Sequence, residues 1–122
     1  MRASRIKISN EASLKLRFLH GKMGLTPNLL LRAGFCMSLR ERERLDPASY
    51  PEDGQELNRY TLTGEYDAGY VALLREWMIR EEKPLENDSL VAFFRAHLNR
   101  GAMLVARRTK SAADLVLHAR GK

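Results

Sequence analysis

A chain of 122 residues has room for one compact domain with one core. Its balance of 44% hydrophobic and 30% charged residues is that of a globular protein, which argues against wholesale disorder. No apolar run approaches the roughly 20 residues of a membrane span, and no apolar segment follows Arg2 and Arg5 as a secretory signal requires. One cysteine, Cys36, cannot form an internal disulfide and fits a cytoplasmic location. The net charge of +6 conceals three blocks: ten Lys/Arg against three Asp/Glu over residues 1–44, four against eleven over 45–88, and seven against one over 89–122. Two cationic ends around an anionic middle raise the local concentration of polyanions, of which nucleic acid is the commonest. The plainer alternative is that the acidic and basic parts pair with each other or with a second subunit.

Arg5-Ile6-Lys7-Ile8-Ser9 alternates polar and apolar, so an extended strand puts Ile6 and Ile8 on one face and Arg5, Lys7 and Ser9 on the other. So short a strand needs a partner, for which a second copy of the chain is one candidate. Ser9 or Asn10 caps a helix from about Glu11 to Met23, with Leu14, Leu16, Phe18, Leu19 and Met23 as its apolar face. Gly24 stops it. Thr26-Pro27 opens a second helix, with the hydroxyl as N-cap and proline in the first helical position. From Leu29 to Leu39 that helix is apolar around its circumference, and a domain this small can hardly enclose it alone, which argues for an oligomer. Arg40-Glu41-Arg42-Glu43-Arg44 forms its charged, exposed end.

Residues 45–64, with Pro47, Pro51, Gly54 and Gly64, read as a long loop in which Leu57–Leu62 could add a short strand. A third helix is expected from about Glu65 to Glu82, with Tyr66, Tyr70, Leu73, Leu74, Trp77 and Met78 as its core stripe and Glu65 and Asp67 at its N-terminus. Lys83-Pro84 ends it. Asn87 or Asp88 caps a fourth helix carrying Leu90, Val91, Phe94 and Leu98, which Gly101 ends or kinks before Met103-Leu104-Val105. The basic tail beyond it has Ser111 as the cap of one short helix. The fold class is therefore mainly α: a helical domain over residues 1–106 with a short N-terminal strand, followed by a tail over 107–122.

The opening strand, helix, turn and second helix resemble a ribbon-helix-helix module, in which two chains pair strands into a ribbon that enters the major groove. On that pattern Arg5, Lys7 and Ser9 face bases, and Thr26 with the first backbone N–H groups of the second helix holds a phosphate. Such modules finish near the end of their second helix, whereas about eighty residues follow here.

Ile6-Lys7-Ile8-Ser9, Leu25-Thr26-Pro27-Asn28, Leu62-Thr63-Gly64-Glu65-Tyr66-Asp67 and His97-Leu98-Asn99-Arg100-Gly101, in that order, resemble the DndE family of bacterial DNA phosphorothioation systems, in which sulfur replaces a backbone oxygen. The resemblance spans residues 5–105. It implies a mostly helical, tetrameric, DNA-binding accessory protein that prefers nicked duplex and works beside the sulfur-transferring and iron–sulfur subunits.

Signals for intrinsic catalysis are weak. Glu65 and Asp67 sit too close on one turn to face each other across a substrate and read as capping carboxylates. Glu76, Glu81 and Glu82 read as a solvated helix face. His20, His97 and His118 are far apart without ligand-spaced partners, which argues against a zinc site. His97 at the edge of an apolar stripe reads as a half-buried, satisfied histidine. Cys36 among leucines is expected to have a raised thiol pKa and to be a poor nucleophile. Tyr60, Tyr66 and Tyr70 raise a nicking-tyrosine hypothesis, but the last two fall on a core stripe. The sequence is thus read as that of a non-enzymatic accessory component without cofactor or metal. Its partners would be duplex DNA, copies of itself in a tetramer and the other phosphorothioation subunits. Candidate DNA contacts are Arg5, Lys7, Ser9, Lys15, Arg17, Lys22, Thr26, Asn28 and Arg32. The rival readings are a ribbon-helix-helix regulator or antitoxin on a palindromic operator, and an assembly adaptor whose basic ends dock on acidic subunits.

Overall fold

A computed structural model describes residues 1–109; the tail and the short helix expected after Ser111 lie outside them. Within that range the chain is mainly α. A two-stranded sheet, β1 (Arg5–Lys7) and β2 (Glu56–Asn58), flanks α1 (Asn10–Met23), α2 (Pro27–Leu39), α3 (Arg59–Thr63), α4 (Asp67–Arg80) and α5 (Asn87–Arg108).

The strand–helix–helix opening is present, and its caps are those the residue types dictate. The Ser9 side chain accepts from the Ala12 N–H, Gly24 closes α1 in the left-handed conformation, and the Thr26 hydroxyl accepts from the Leu29 N–H beside Pro27. The strand's partner differs from the expected ribbon. β1 pairs antiparallel with β2 of its own chain, Arg5 opposite Asn58, Ile6 opposite Leu57 and Lys7 opposite Glu56. Ile6, Ile8 and Leu57 turn inward onto the helices. The Leu57–Leu62 stretch is strand only up to Asn58, because Asn58 Oδ1 accepts from the N–H groups of Tyr60 and Thr61 and starts α3 there.

The core is built on the crossing of α2 with α5. Gly34 and Gly101 meet at that crossing so closely that a Cβ on Gly34 would stand 2.7 Å from the Gly101 carbonyl carbon, and one on Gly101 2.4 Å from that of Gly34. Gly101 neither ends nor kinks α5, which runs unbroken to Arg108; its bare Cα admits the other helix. That approach buries Leu30, Leu31, Phe35 and Met37 against Phe94, Leu98, Leu104 and Val105. Most of the apolar circumference of α2 is thus covered within one chain, with Leu29 46% exposed and Ala33, Cys36 and Leu39 half-buried, so it does not by itself require a second copy.

The expected third helix is present as α4, with its first two residues in a 3-10 turn at Gly64–Tyr66 that separates it from α3. Tyr66 stands 61% exposed outside the core. Tyr70 is half-buried, edge-on to Phe35, while Leu74, Trp77 and Met78 are buried as expected. Asp67 is no cap: it pairs with the buried Arg59, whose Nη1 also donates to the carbonyls of Met1 and Ala3. No helix among the described residues is long and apolar enough to cross a membrane.

Candidate nucleic-acid interface

The nine candidate contact residues fall into three groups. Arg5 and Lys7 lie on the outer face of the sheet, where Arg5 Nη1 pairs with Glu56 across the strands at 3.2 Å. Ser9 is not on that face. It is only 3% exposed, its Oγ caps α1, and its N–H donates to Asn99 Oδ1 at 2.9 Å, because the chain turns inward to enter the helix. Ser9 is withdrawn as a base contact.

Lys15, Arg17 and Lys22 are all exposed on α1. At about 100° per residue Lys15 and Lys22 share one edge of the helix, and Arg17 lies roughly 160° away on the other. Leu14 and Phe18, 50% and 67% exposed, stand between these edges. The structure therefore offers two cationic rails, Lys15 with Lys22 on one and Arg17 alone on the other, with an apolar strip between them; exposed Glu11, one turn before Lys15, shares the first rail. At the start of α2 Thr26 is exposed, whereas Asn28 and Arg32 are half-buried and Arg32 Nε donates to the Leu62 carbonyl at 2.6 Å.

Some of the acidic and basic surface does pair: Arg5 with Glu56, Arg95 with Glu52 and Arg108 with Glu41. The Arg108 contact holds the Glu41 carboxyl below its ordinary pKa. Lys7, Lys15, Arg17 and Lys22 take part in no ion pair among the described residues.

The other motif residues work inside the molecule. Asn99 accepts the Ser9 N–H and returns its own N–H to the Arg95 carbonyl, joining β1 to α5. Arg100 donates from Nε to Ser38 Oγ at 2.8 Å, from Nη2 to the Ser38 carbonyl at 2.7 Å and from Nη1 to the Glu43 carbonyl at 2.8 Å. Ser38 Oγ, which accepts from Arg100, also shares a hydrogen bond with His97 Nδ1 at 2.8 Å, while His97 Nε2 is buried without a hydrogen-bond partner among the described residues. That ring packs edge-to-face on Trp77 at 4.3 Å between centroids. His97 is completely buried rather than half-exposed, and burial followed by the nearby Arg100 charge pulls its pKa down to about 3. A neutral histidine sealed from solvent is a packing and bonding element, out of reach of a phosphate.

Burial also pushes the Cys36 thiol up, so it is held as the protonated form. Among the described residues no three His, Cys, Asp or Glu come together in a way that could hold a metal. Asn99 and Arg100 entered the sequence reading only as motif letters. The signal for their role was the polar and small run His97–Gly101 interrupting an apolar stripe, since an asparagine and an arginine buried there need hydrogen-bond partners.

The family model described as DNA sulphur modification protein DndE matches residues 5–113. Among solved structures, the chain is similar to DndE from Escherichia coli B7A, involved in DNA phosphorothioation modification, at 28% identity and a TM-score of 0.71, covering 89% of this chain and 100% of that one. A double glycine-to-lysine mutant of DndE involved in DNA phosphorothioation matches at 25% identity and a TM-score of 0.68, over 86% and 99% of the two chains. No curated protein matches. A single family match spans both strands and all five described helices and runs a few residues past them, and the chain belongs to the DndE family of DNA sulphur modification proteins.

Proposed function

We propose that this chain is a DNA-binding accessory component of a DNA phosphorothioation system, gripping duplex backbone without chemistry of its own. The observation that carries the reading is the set of exposed cations on ordered elements, Lys7, Lys15, Arg17 and Lys22, that form no ion pair with a carboxylate of the described residues. Such charges release condensed counterions from DNA and cost little further ordering when they bind. A homotetramer and a preference for nicked duplex belong to the same proposal. Their support is the family; the exposed Leu14–Phe18 strip between the cationic rails of α1 adds an apolar surface for a second copy.

An operator-binding ribbon-helix-helix regulator is the weaker reading, because β1 spends one edge on β2 and Ser9 is buried away from any groove. The test is fluorescence anisotropy with matched nicked and intact duplexes. Six neutralised phosphates predict a loss of about a thousandfold between 50 and 200 mM salt. A flat salt response, or equal affinity for scrambled and nicked duplexes with a sharp operator preference elsewhere, removes the proposal.

A further inference from the structure

Four arginines of the described chain are buried or half-buried: Arg32, Arg59, Arg95 and Arg100. In three of them every guanidinium nitrogen is engaged. Arg59 reaches Met1, Ala3, Tyr60 and Asp67; Arg95 reaches Tyr50, Pro47 and Glu52; Arg100 reaches Ser38 and Glu43. Arg32 is different. Its Nε is fixed on the Leu62 carbonyl at 2.6 Å, and its two Nη groups have no hydrogen-bond or ion-pair partner among the described residues. Asp67, in the segment that follows Gly64, is committed to Arg59 and Thr63.

The neighbouring backbone is shaped to let the guanidinium lie there. Gly64 has φ 62° and ψ −143°, a conformation open to glycine and strained for other residues. A Cβ at that position would stand 2.9 Å from Arg32 Nη2. An arginine anchored by Nε, with its outer nitrogens uncommitted, presents the planar fork that pairs with two oxygens of one phosphate.

We propose that Arg32, seated on the Leu62 carbonyl against the bare Cα of Gly64, is a preorganised bidentate site for a phosphate oxyanion, with Gly64 as its positioning residue. This deepens the DNA-binding reading and rests on it for the source of the phosphate, a backbone phosphodiester. It separates Arg32 from the lysines of α1, which act as mobile point charges. It also gives the Leu62-Thr63-Gly64 motif a task beyond ending α3.

The experiment uses the full chain in two arms. In the first, inorganic phosphate is titrated in while the arginine side-chain Nε–H signals are followed by NMR, that of Arg32 being assigned by its loss in Arg32→Lys. Its signal is expected to shift saturably, whereas that of exposed Arg17 drifts in proportion to added salt. In the second, duplex affinity is measured for Arg32→Lys, which keeps the charge and removes the fork, and for Arg75→Lys, the same change at an exposed position of α4 outside the candidate contacts, as a control. Arg32→Lys is expected to lose about tenfold, one charge-assisted hydrogen bond, with the salt slope unchanged, while Arg75→Lys binds as wild type. Gly64→Ala should match the Arg32→Lys loss at unchanged helicity; should it unfold, Arg32→Lys decides. An Arg32 signal that moves no more than that of Arg17, or an Arg32→Lys protein that binds duplex as wild type, overturns the proposal. Saturable phosphate binding at Arg32 in a protein that binds no duplex at low salt would instead retire the DNA reading and leave the site, with free phosphate as its ligand.

Discussion

Gly101→Ala puts the architecture to its sharpest test. In an isolated helix the change is favourable by about 1 kcal/mol, because alanine has less backbone freedom to lose than glycine. Here the new methyl would stand 2.4 Å from the Gly34 carbonyl carbon, 2.5 Å from its oxygen and 2.9 Å from its Cα, all backbone atoms that cannot rotate away. Ordinary contact needs about 3.5–4.0 Å, so α2 and α5 must part by about 1 Å or more. Parting them loosens Phe35 from Phe94 and His97 and stretches the bonds from Arg100 to Ser38. Overpacking of this kind typically costs about 1–3 kcal/mol, and the broken polar register adds to it, so a net loss of about 2–3 kcal/mol is expected. Urea unfolding followed by circular dichroism at one fixed protein concentration should show a midpoint lower by about 1–2 M. Gly69→Ala on α4, where nothing lies within 4 Å of the new carbon, is the matched control and should be neutral or stabilising. A Gly101→Ala protein as stable as the control would refute the close crossing.

His97 gives an acid-sensitive stability. Its folded pKa of about 3 lies below the ordinary value of 6.5, so the unfolded chain binds the extra proton first. The stability it contributes is complete above about pH 6.5 and is lost as pH falls toward 3. Urea midpoints should drop across that window, and more shallowly in His97→Gln. Arg59→Met should destabilise by about 3–5 kcal/mol, since it strands Asp67 and frees the Met1 and Ala3 carbonyls; Asp67→Asn should cost less because the carbonyl bonds survive. Light scattering should give a tetramer, and Phe18→Asp on the exposed strip of α1 should shift it toward smaller species, whereas a 14.0 kDa particle for the wild type would remove assembly from the account.

The helices α1 and α2 were legible because their signals are local: Ser9 and Thr26 as caps, Pro27 in the first turn, Gly24 at the stop. The segment from 45 to 66 was not. β2 exists because β1, some fifty residues away, supplies its hydrogen bonds, and α3 begins where Asn58 turns its side chain back onto the chain. Gly101 looked like a helix breaker because only its own neighbours were in view; its partner Gly34 is sixty-seven positions earlier. The exposed cations were read correctly as exposed, yet their division into two rails on α1 requires the burial of Leu16 and Leu19 to fix the helix's rotation. Ser9 was misplaced by carrying strict alternation two residues past the end of the strand.

The measurement closest to the central claim compares two proteins by anisotropy at one low salt concentration, with the oligomer checked in each. One carries Lys7→Ala, Lys15→Ala and Lys22→Ala together; the other lacks residues 110–122, a cut that spares α5 and the pairing of Arg108 with Glu41. Removing three exposed charges that form no ion pair from ordered elements should weaken duplex binding by about a hundredfold or more, and losing the tail should change it by less than about tenfold. A tail deletion that abolishes binding while the triple variant binds normally would contradict the account and move the DNA-binding surface off the folded domain.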